Sequence, residues 1–452
     1  MPCYVPILYA MLLNMKASMQ FTLFLLISLL SLSACGGAPS SAPPAQQIVH
    51  CSPQGEGQAP GNVPNSIEGD WPLLHSNLQR DGGASTSGGG HLTLSWTYCT
   101  GAAISSSPIV HAGVVYIGST DSTLTALNVR TGKMLWNIQT DAALYSTPVI
   151  QDGLLYICSL DGTLYAVDAQ TGYTHWRTHI PTEGAKIWSS PVVADGLLLV
   201  GVASTLQEKP KIPGQVLAFD IHTGKLRWQT FVQAGRAPGA GVWSSPAVDA
   251  ARHIVYVGTG DPDDGVLALN IQDGSTRWHW RSTLHDVSDT DIGSGPLLYA
   301  DRQGHEHVVV GGKDGQLYSL DASNGQVLWK TQVGEHVYSS PAFANGTIYA
   351  VAVQGQSAIS QALDADTGAI RWRHTIPTIV YASPAISGQH LFVAIGNGFG
   401  PGDGGVQVLD ASTGQLLQYA DLHSTASSSP AILSSCLFVG SSDGRLSAFI
   451  RS

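Results

Sequence analysis

Short apolar runs separated by Gly, Pro, Asp and Ser turns recur from about residue 100 to the end of the chain, and they recur as one unit. The unit opens on a small residue followed by Pro, at Ser107-Pro108, Thr147-Pro148, Ser190-Pro191, Ser245-Pro246, Gly295-Pro296, Ser340-Pro341, Ser383-Pro384 and Ser429-Pro430. An apolar strand follows, then a short turn and a second strand such as Val115-Tyr116-Ile117-Gly118 or Val255-Tyr256-Val257-Gly258. A third strand, as in Leu164-Tyr165-Ala166-Val167-Asp168, leads through a Gly turn to a fourth strand bearing Trp136, Trp176, Trp228, Trp278, Trp329 or Trp372. Four short strands in about 40–50 residues, with Trp and turn glycines at fixed offsets, describe one blade of a β-propeller. Eight copies predict an all-β, eight-bladed propeller of four-stranded antiparallel blades, with each indole filling the gap to the neighbouring blade. The last copy stops at Ile450 without a Trp strand, while a spare one, Leu92 to Tyr98, precedes the first copy. Pairing the two closes the ring and removes a free sheet edge.

Composition narrows the function classes. Charged residues make up 12% of the chain, acids outnumber bases 32 to 21, and there are 51 Gly and 24 Pro. Scarce charge with many turn formers excludes long solvent-exposed helices and coiled coils, and 43% apolar residues can bury a large core. An acidic balance argues against a nucleic-acid or anionic-membrane surface. No P-loop or C-x-x-C-H haem motif occurs, so covalent c-type haem is not expected.

The N-terminal residues are expected to be a targeting segment. The apolar run Phe21 to Leu32 is too short to span a bilayer, and Lys16 precedes it. It ends in Leu32-Ser33-Ala34-Cys35-Gly36-Gly37, which resembles a bacterial lipobox. That resemblance implies cleavage before Cys35 and its lipidation, so residues 1–34 read as a signal peptide, with Met15 a candidate start. Residues 35–68, rich in Gly, Pro, Ser and Ala, read as a flexible tether and 69–452 as the propeller. The expected location is exported and lipid-anchored, facing the periplasm or the outside. Cys51, Cys99, Cys158 and Cys436 remain beyond the leader; Cys51 could pair with Cys99, or all four could be reduced and buried.

The pattern Ala166-x-Asp168-x-x-Thr171-Gly172-x-x-x-Trp176 is similar to the repeat of the PQQ (pyrroloquinoline quinone) propeller family, and Asp70-Trp71-Pro72 with Arg80-Asp81-Gly82 resembles that family's lead-in. The family includes quinone-dependent alcohol dehydrogenases and a non-enzymatic lipoprotein of outer-membrane assembly, so the resemblance implies the fold more strongly than the activity.

Longer segments, at 203–214, 231–242, 260–265, 281–293, 354–361 and 397–405, follow second strands or precede first strands. Both connection types leave a four-stranded meander on one side, so a single face should carry the binding residues. Tyr145, Trp188, Trp243, Tyr338 and Tyr381 stand just before the repeated Ser-Pro, where rings near the channel mouth could stack a planar ligand.

Four places resemble the dehydrogenases in particular. Gly241 to Pro246 matches the segment whose Trp, here Trp243, stacks under the quinone. Val257 to Asp261 matches a stretch whose Asn ligates Ca2+, with Asp261 standing in its place. His285 to Asp291 resembles the segment whose second Asp, here Asp289, is both Ca2+ ligand and general base, although Ser288 replaces a Trp. Gly312-Lys313-Asp314-Gly315 matches the place of a cation on the quinone carbonyls. Glu208 lies in the loop where the family supplies a third Ca2+ ligand. The resemblance thus implies Glu208, Asp261 and Asp289 around Ca2+, Trp243 and Lys313 on the cofactor, and Asp289 and Lys313 in catalysis. Against it, the adjacent Cys pair of many such enzymes is missing, and Asp261 to Gly265 also suits a plain turn. His305-Glu306-His307 reads as exposed turn histidines. The chain is therefore expected to be a monomeric, lipid-anchored scaffold that binds a protein partner or small ligand on its loop-rich face. The alternative is a PQQ- and Ca2+-dependent alcohol dehydrogenase without haem.

Overall fold

The computed structural model describes residues 69–84, 88–204, 211–236, 238–282, 291–396, 404–426 and 428–452, all within the compact unit Ile48–Ser452. They form eight four-stranded antiparallel sheets, and Ala234–Arg236 is the one helical turn among them. The expected propeller and its closure are both present: Leu92–Cys99 pairs with Arg445–Arg451, from Leu92↔Arg451 to Cys99↔Arg445, and completes blade eight. In each of the other blades the first strand lines the channel and the fourth forms the rim. The second strand of blade four, Ile254–Gly258, is buried throughout, whereas rim strands such as Thr174–His179 alternate between partly and fully exposed residues.

The joint between blades is the same contact repeated. The indole Nε1 of Trp228 donates to Ile271 O at 2.7 Å, that of Trp278 to Ala322 O at 2.8 Å, and that of Trp329 to Ala365 O at 2.9 Å. Trp136, Trp176 and Trp372 do likewise, and Trp96 of the closing strand reaches Val129 O in blade one at 3.1 Å. Each acceptor belongs to the turn between the third and fourth strands of the next blade, and each indole lies flat on that turn's glycine. A Cβ on Gly325 would stand 2.6 Å from Trp278 Cε3, and one on Gly274 2.5 Å from Trp228 Cε3. Burying one indole in this way contributes up to roughly 4–6 kcal/mol of transfer free energy. Blade seven has Gln418 at the Trp position; its amide accepts from Leu92 N at 2.6 Å and donates to Leu92 O at 2.8 Å. The side-chain amide thus holds the closing strand where no glycine turn exists.

Around the channel the repeated Ser-Pro makes a second joint. The hydroxyl of Thr147 accepts from Ser107 N at 3.0 Å, Ser190 from Thr147 N at 2.9 Å and Ser245 from Ser190 N at 2.8 Å. Ser340, Ser383, Ser429 and Ser107 continue the ring, accepting from Gly295 N, Ser340 N, Ser383 N and Ser429 N. It is interrupted only between blades four and five, where Gly295 offers no hydroxyl to Ser245 N. Beyond this ring, the lead-in crosses the channel. Backbone groups of Trp71, Pro72, Leu78, Gln79, Asp81 and Gly82 bond to Val110, Ile150, Val248, Leu298, Phe343 and Ile386 on the first strands of six blades, at 2.7 to 3.0 Å. The lead-in thus spans the channel on the side away from the longer connections.

Two expectations need correction. Residues 354–361 are not a loop: Thr347–Gln354 and Ser357–Asp364 form one long hairpin, paired to Gln354↔Ser357 across a two-residue turn with Gly355 at φ 59°. The extra residues lengthen two strands because their backbone groups pair with each other. His307 is buried and stacks on Tyr299 with centroids 4.6 Å apart, donating or accepting at Ser319 Oγ; only His305 is exposed. Cys99 is disulfide-bonded, while Cys158 and Cys436 are free and buried; the expected partner Cys51 lies outside the described residues, as does Cys35.

The indole contact predicts unequal costs for two glycines of similar conformation. Gly325 has φ 76° and Gly153 has φ 78°, but a Cβ on Gly153 meets nothing within 4 Å. Both substitutions to Ala carry a left-handed backbone penalty of about 1 kcal/mol. Gly325→Ala should cost a further 1–3 kcal/mol or so by displacing Trp278, seen as a lower urea midpoint than that of Gly153→Ala. Equal midpoints would contradict the joint.

Candidate functional site

Four connections meet at the end of the channel away from the lead-in, beside blades four and five. Trp243 precedes the first strand of blade four, Ala247–Asp249. Residues 259–264 join Ile254–Gly258 to Gly265–Asn270. Asp291 precedes Leu297–Ala300 of blade five, and Lys313 joins Glu306–Gly311 to Gln316–Asp321.

The turn at Lys313 is built by its neighbours. Gly315, at φ 77°, donates to Gly312 O at 3.0 Å, and Asp314 accepts from Gln316 N at 3.0 Å and from the Tyr318 hydroxyl at 2.5 Å. Asp314 is thereby committed to the turn, and Lys313 is left to reach inward. Its backbone N–H donates to Asp291 O at 2.9 Å and its ammonium to Asp291 Oδ2 at 2.5 Å. The same carboxylate accepts from Asp261 N through Oδ1 at 2.6 Å. Nζ of Lys313 stands 5.2 Å from the centroid of the Trp243 ring, a cation–π distance. Two glycines make room for this. A Cβ on Gly260 would lie 2.6 Å from Asp291 Oδ1 and 2.8 Å from Trp243 Nε1. Gly293 occupies the position that carries an aromatic ring in blades two, three, four, six and seven, and the Lys313 stem passes 3.8 Å from where its Cβ would be.

Asp261, Asp264 and Asp291 each offer a carboxylate oxygen within 4.8 Å of the others, a group that could hold a cation. Asp291 and Asp264 are buried and Asp261 is half-buried. Three carboxylates against one ammonium leave a net negative site, and hard oxygen donors suit Ca2+ or a similar ion. Asp263, in the same loop, has another task. Its Oδ1 accepts from Thr259 Oγ1 at 2.7 Å and faces His279 Nε2 at 2.6 Å, while Arg281 Nε donates to Oδ2 at 2.8 Å. Burial pushes this carboxyl up, but His279, Thr259 and Arg281 outweigh burial and hold it below the usual range. It fastens the loop that presents Asp261 and Asp264.

Among the residues expected from the sequence, the fold brings together Trp243, Asp261 and Lys313. Glu208 and Asp289 lie outside the described residues. Asp264 and Asp291 were not expected as ligands. The first lies in the Asp261 to Gly265 stretch that also suits a plain turn, and the second stands two residues beyond Asp289, a spacing that could have drawn attention to it. The aromatic positions do not form one continuous shelf. Tyr145 meets Trp188 at 4.9 Å and Tyr338 meets Tyr381 at 5.2 Å, with Trp243 and Lys313 between these pairs. A cleft of about 270 Å3, lined by Tyr299, Asp301, Phe343 and Asp366 among others, opens at the opposite end, by the turns between first and second strands, and contains none of these groups.

Comparison with known proteins places the repeat and the fold. A family model described as "Outer membrane protein assembly factor BamB" matches residues 92–147 and 279–449. One described as "Glucose/ethanol/alcohol dehydrogenase, beta-propeller domain" matches residues 179–337, which span the site. The chain is similar to polyvinylalcohol dehydrogenase of a Pseudomonas species, 28% identical over 207 residues, covering 35% of this chain and 32% of that one. It is also similar to BamB of Legionella pneumophila, 27% identical over 174 residues, covering 37% and 38%. These matches span about a third of the length of the curated relatives. In structure it resembles quinohemoprotein alcohol dehydrogenase from Comamonas testosteroni, with TM-score 0.74, 16% identity and 85% and 81% coverage. It likewise resembles BamB from Moraxella catarrhalis, with TM-score 0.63, 18% identity and 80% and 100% coverage. Repeat, fold and family models converge, and the chain belongs to the PQQ-repeat β-propeller family.

Proposed function

We propose that this protein is an exported quinoprotein-type propeller that binds PQQ with a hard cation at the mouth of blades four and five and oxidises an alcohol. The observation that carries this reading is the convergence of Trp243, Asp261, Asp264, Asp291 and Lys313 from four separate connections. The residues fit the group: the three carboxylates are hard oxygen donors of the kind Ca2+ takes, and the Trp243 Nε1 is buried without a hydrogen-bond partner. The chemistry supplied by a bound PQQ and Ca2+ is hydride acceptance at a polarised carbonyl. Asp261, Asp264 and Asp291 hold the cation. The Asp291 carboxylate fixes the Lys313 ammonium in place, so that its charge is ready for an anion developing beside it. Trp243 offers a ring face for a planar ligand, and Asp289 takes the alcohol proton on its carboxylate. Proposed with this are the Cys35 lipid anchor, the Cys51–Cys99 disulfide and the division at residues 34, 68 and 69. No helix among the described residues is long and apolar enough to cross a membrane.

A scaffold that binds a protein partner on the same loop-rich face is the second reading. It is favoured by the BamB model, which matches residues 92–147 and 279–449, Asp291 and Lys313 among them.

Terbium(III) is expected to bind with indole-sensitised luminescence, and Asp291→Asn should weaken that binding at least tenfold, about 1.4 kcal/mol. Equal affinity in the variant would remove Asp291 from the cation site. Titration with PQQ in the presence of Ca2+ is expected to quench Trp fluorescence saturably, and Trp243→Ala should abolish the saturable part. Dye-linked alcohol oxidation should disappear in Asp289→Asn at an unchanged unfolding midpoint. Absent quenching in the folded wild type would leave the scaffold reading standing.

A further inference from the structure

The lead-in that spans the channel carries a cation with no counter-charge. Arg80 is 1% exposed. Its Nε donates to Pro246 O at 2.5 Å and one Nη to Leu74 O at 2.9 Å, both neutral carbonyls, and Nη2 is buried with no hydrogen-bond partner. Burial alone pushes its pKa down to about 9. An isolated buried charge costs several kcal/mol, and proteins ordinarily pair such groups. Arg451, the other buried arginine, shows the contrast: each of its three side-chain nitrogens donates to a protein oxygen. His75 lies beside Arg80, with Nδ1 3.3 Å from Arg80 O and a buried Nε2 that also has no partner. Burial and then the neighbouring guanidinium press His75 down to about 4, so it adds no second positive charge near neutrality.

Arg80 reaches this part of the channel at a particular place. Its acceptor Pro246 directly follows Ser245, whose N–H faces Gly295 at the single interruption in the hydroxyl ring. The point where a Gly295 Cβ would stand is 2.8 Å from Ser340 Oγ, 3.2 Å from Ser245 O and 3.8 Å from Ser245 N. Seven junctions place a hydroxyl acceptor there; this junction has a glycine, and Arg80 Nε is bonded one residue on, at Pro246 O.

We infer that the channel holds a small monovalent anion of the halide class, resting on Arg80 Nη2 and taking the acceptor place that Gly295 leaves open to Ser245 N–H. A single fixed charge suits a monovalent anion, whereas a phosphate or sulfate would need more cations than face this point. The anion joins the lead-in to the junction of blades four and five, on the lead-in side of the channel and away from the Trp243 and Lys313 site, and is independent of the quinone reading.

Crystals of the full chain soaked in sodium bromide, with data collected at the bromine absorption edge, test this directly. The expected result is an anomalous peak within hydrogen-bonding distance of Arg80 Nη2. In Gly295→Ser, which restores the residue type of the other junctions at the cost of a small shift of the Ser340 hydroxyl and whose folding is checked by its unfolding midpoint, the new hydroxyl takes the anion's place and the peak disappears. Water density without anomalous signal beside Arg80 in the wild type would overturn the inference. A peak of undiminished height in Gly295→Ser would do so as well, because the anion would then not occupy the gap.

Discussion

The indole of one blade lying on the turn glycine of the next is the constraint on which the rest of the ring depends. It combines apolar burial with a hydrogen bond whose acceptor is fixed by the turn, so that neighbouring sheets can meet at only one separation and angle. The glycine is required twice over, by its left-handed φ and by the absence of a Cβ under the ring. Repeated around the ring, this contact sets where each channel strand stands, and hence where every connection at the mouth begins.

Closure is handled by different chemistry. Blade eight is assembled from both ends of the chain, so its junction with blade seven has no Asp-x-x-Thr-Gly turn on which an indole could rest. Gln418 replaces the indole and bonds to both backbone groups of Leu92. A polar side chain suits this seam, because an extended strand presents an N–H and a C=O together where a turn presents a single carbonyl.

The site draws on the same economy of position. Inside the ring the first strands are held by hydroxyl-to-amide bonds and by the lead-in, leaving little freedom at their ends. Residues placed at those ends by the repeat, such as Trp243 and Gly293, are consequently rigid, and the irregular connections supply the charges. Gly293 shows how one substitution in a repeat alters chemistry: removal of the expected ring admits the Lys313 stem. Asp291 then becomes the hub, bonded to Lys313 twice and to Asp261 once.

Strand count, blade number and ring closure were legible in the sequence because each rests on short-range pattern repeated many times, and every copy reports the same local physics. Trp243, Asp261 and Lys313 were legible through motif resemblance. Asp264 and Asp291 were not. Aspartates in a turn satisfy local backbone N–H groups or face a distant partner with equal ease, and only packing decides between the two. Asp263 and Asp264 are adjacent, yet one is consumed by Thr259, His279 and Arg281 while the other joins the acidic group. The uncompensated charge of Arg80 was invisible for a related reason. Burial and pairing depend on residues far apart in the chain, here Arg80, Pro246 and Gly295, which meet only when the ring is closed. The sequence by itself determined the repeat and the architecture that follows from it. The tertiary structure alone decided which charged groups face one another, because desolvation and pairing are properties of the assembled channel and not of any one blade.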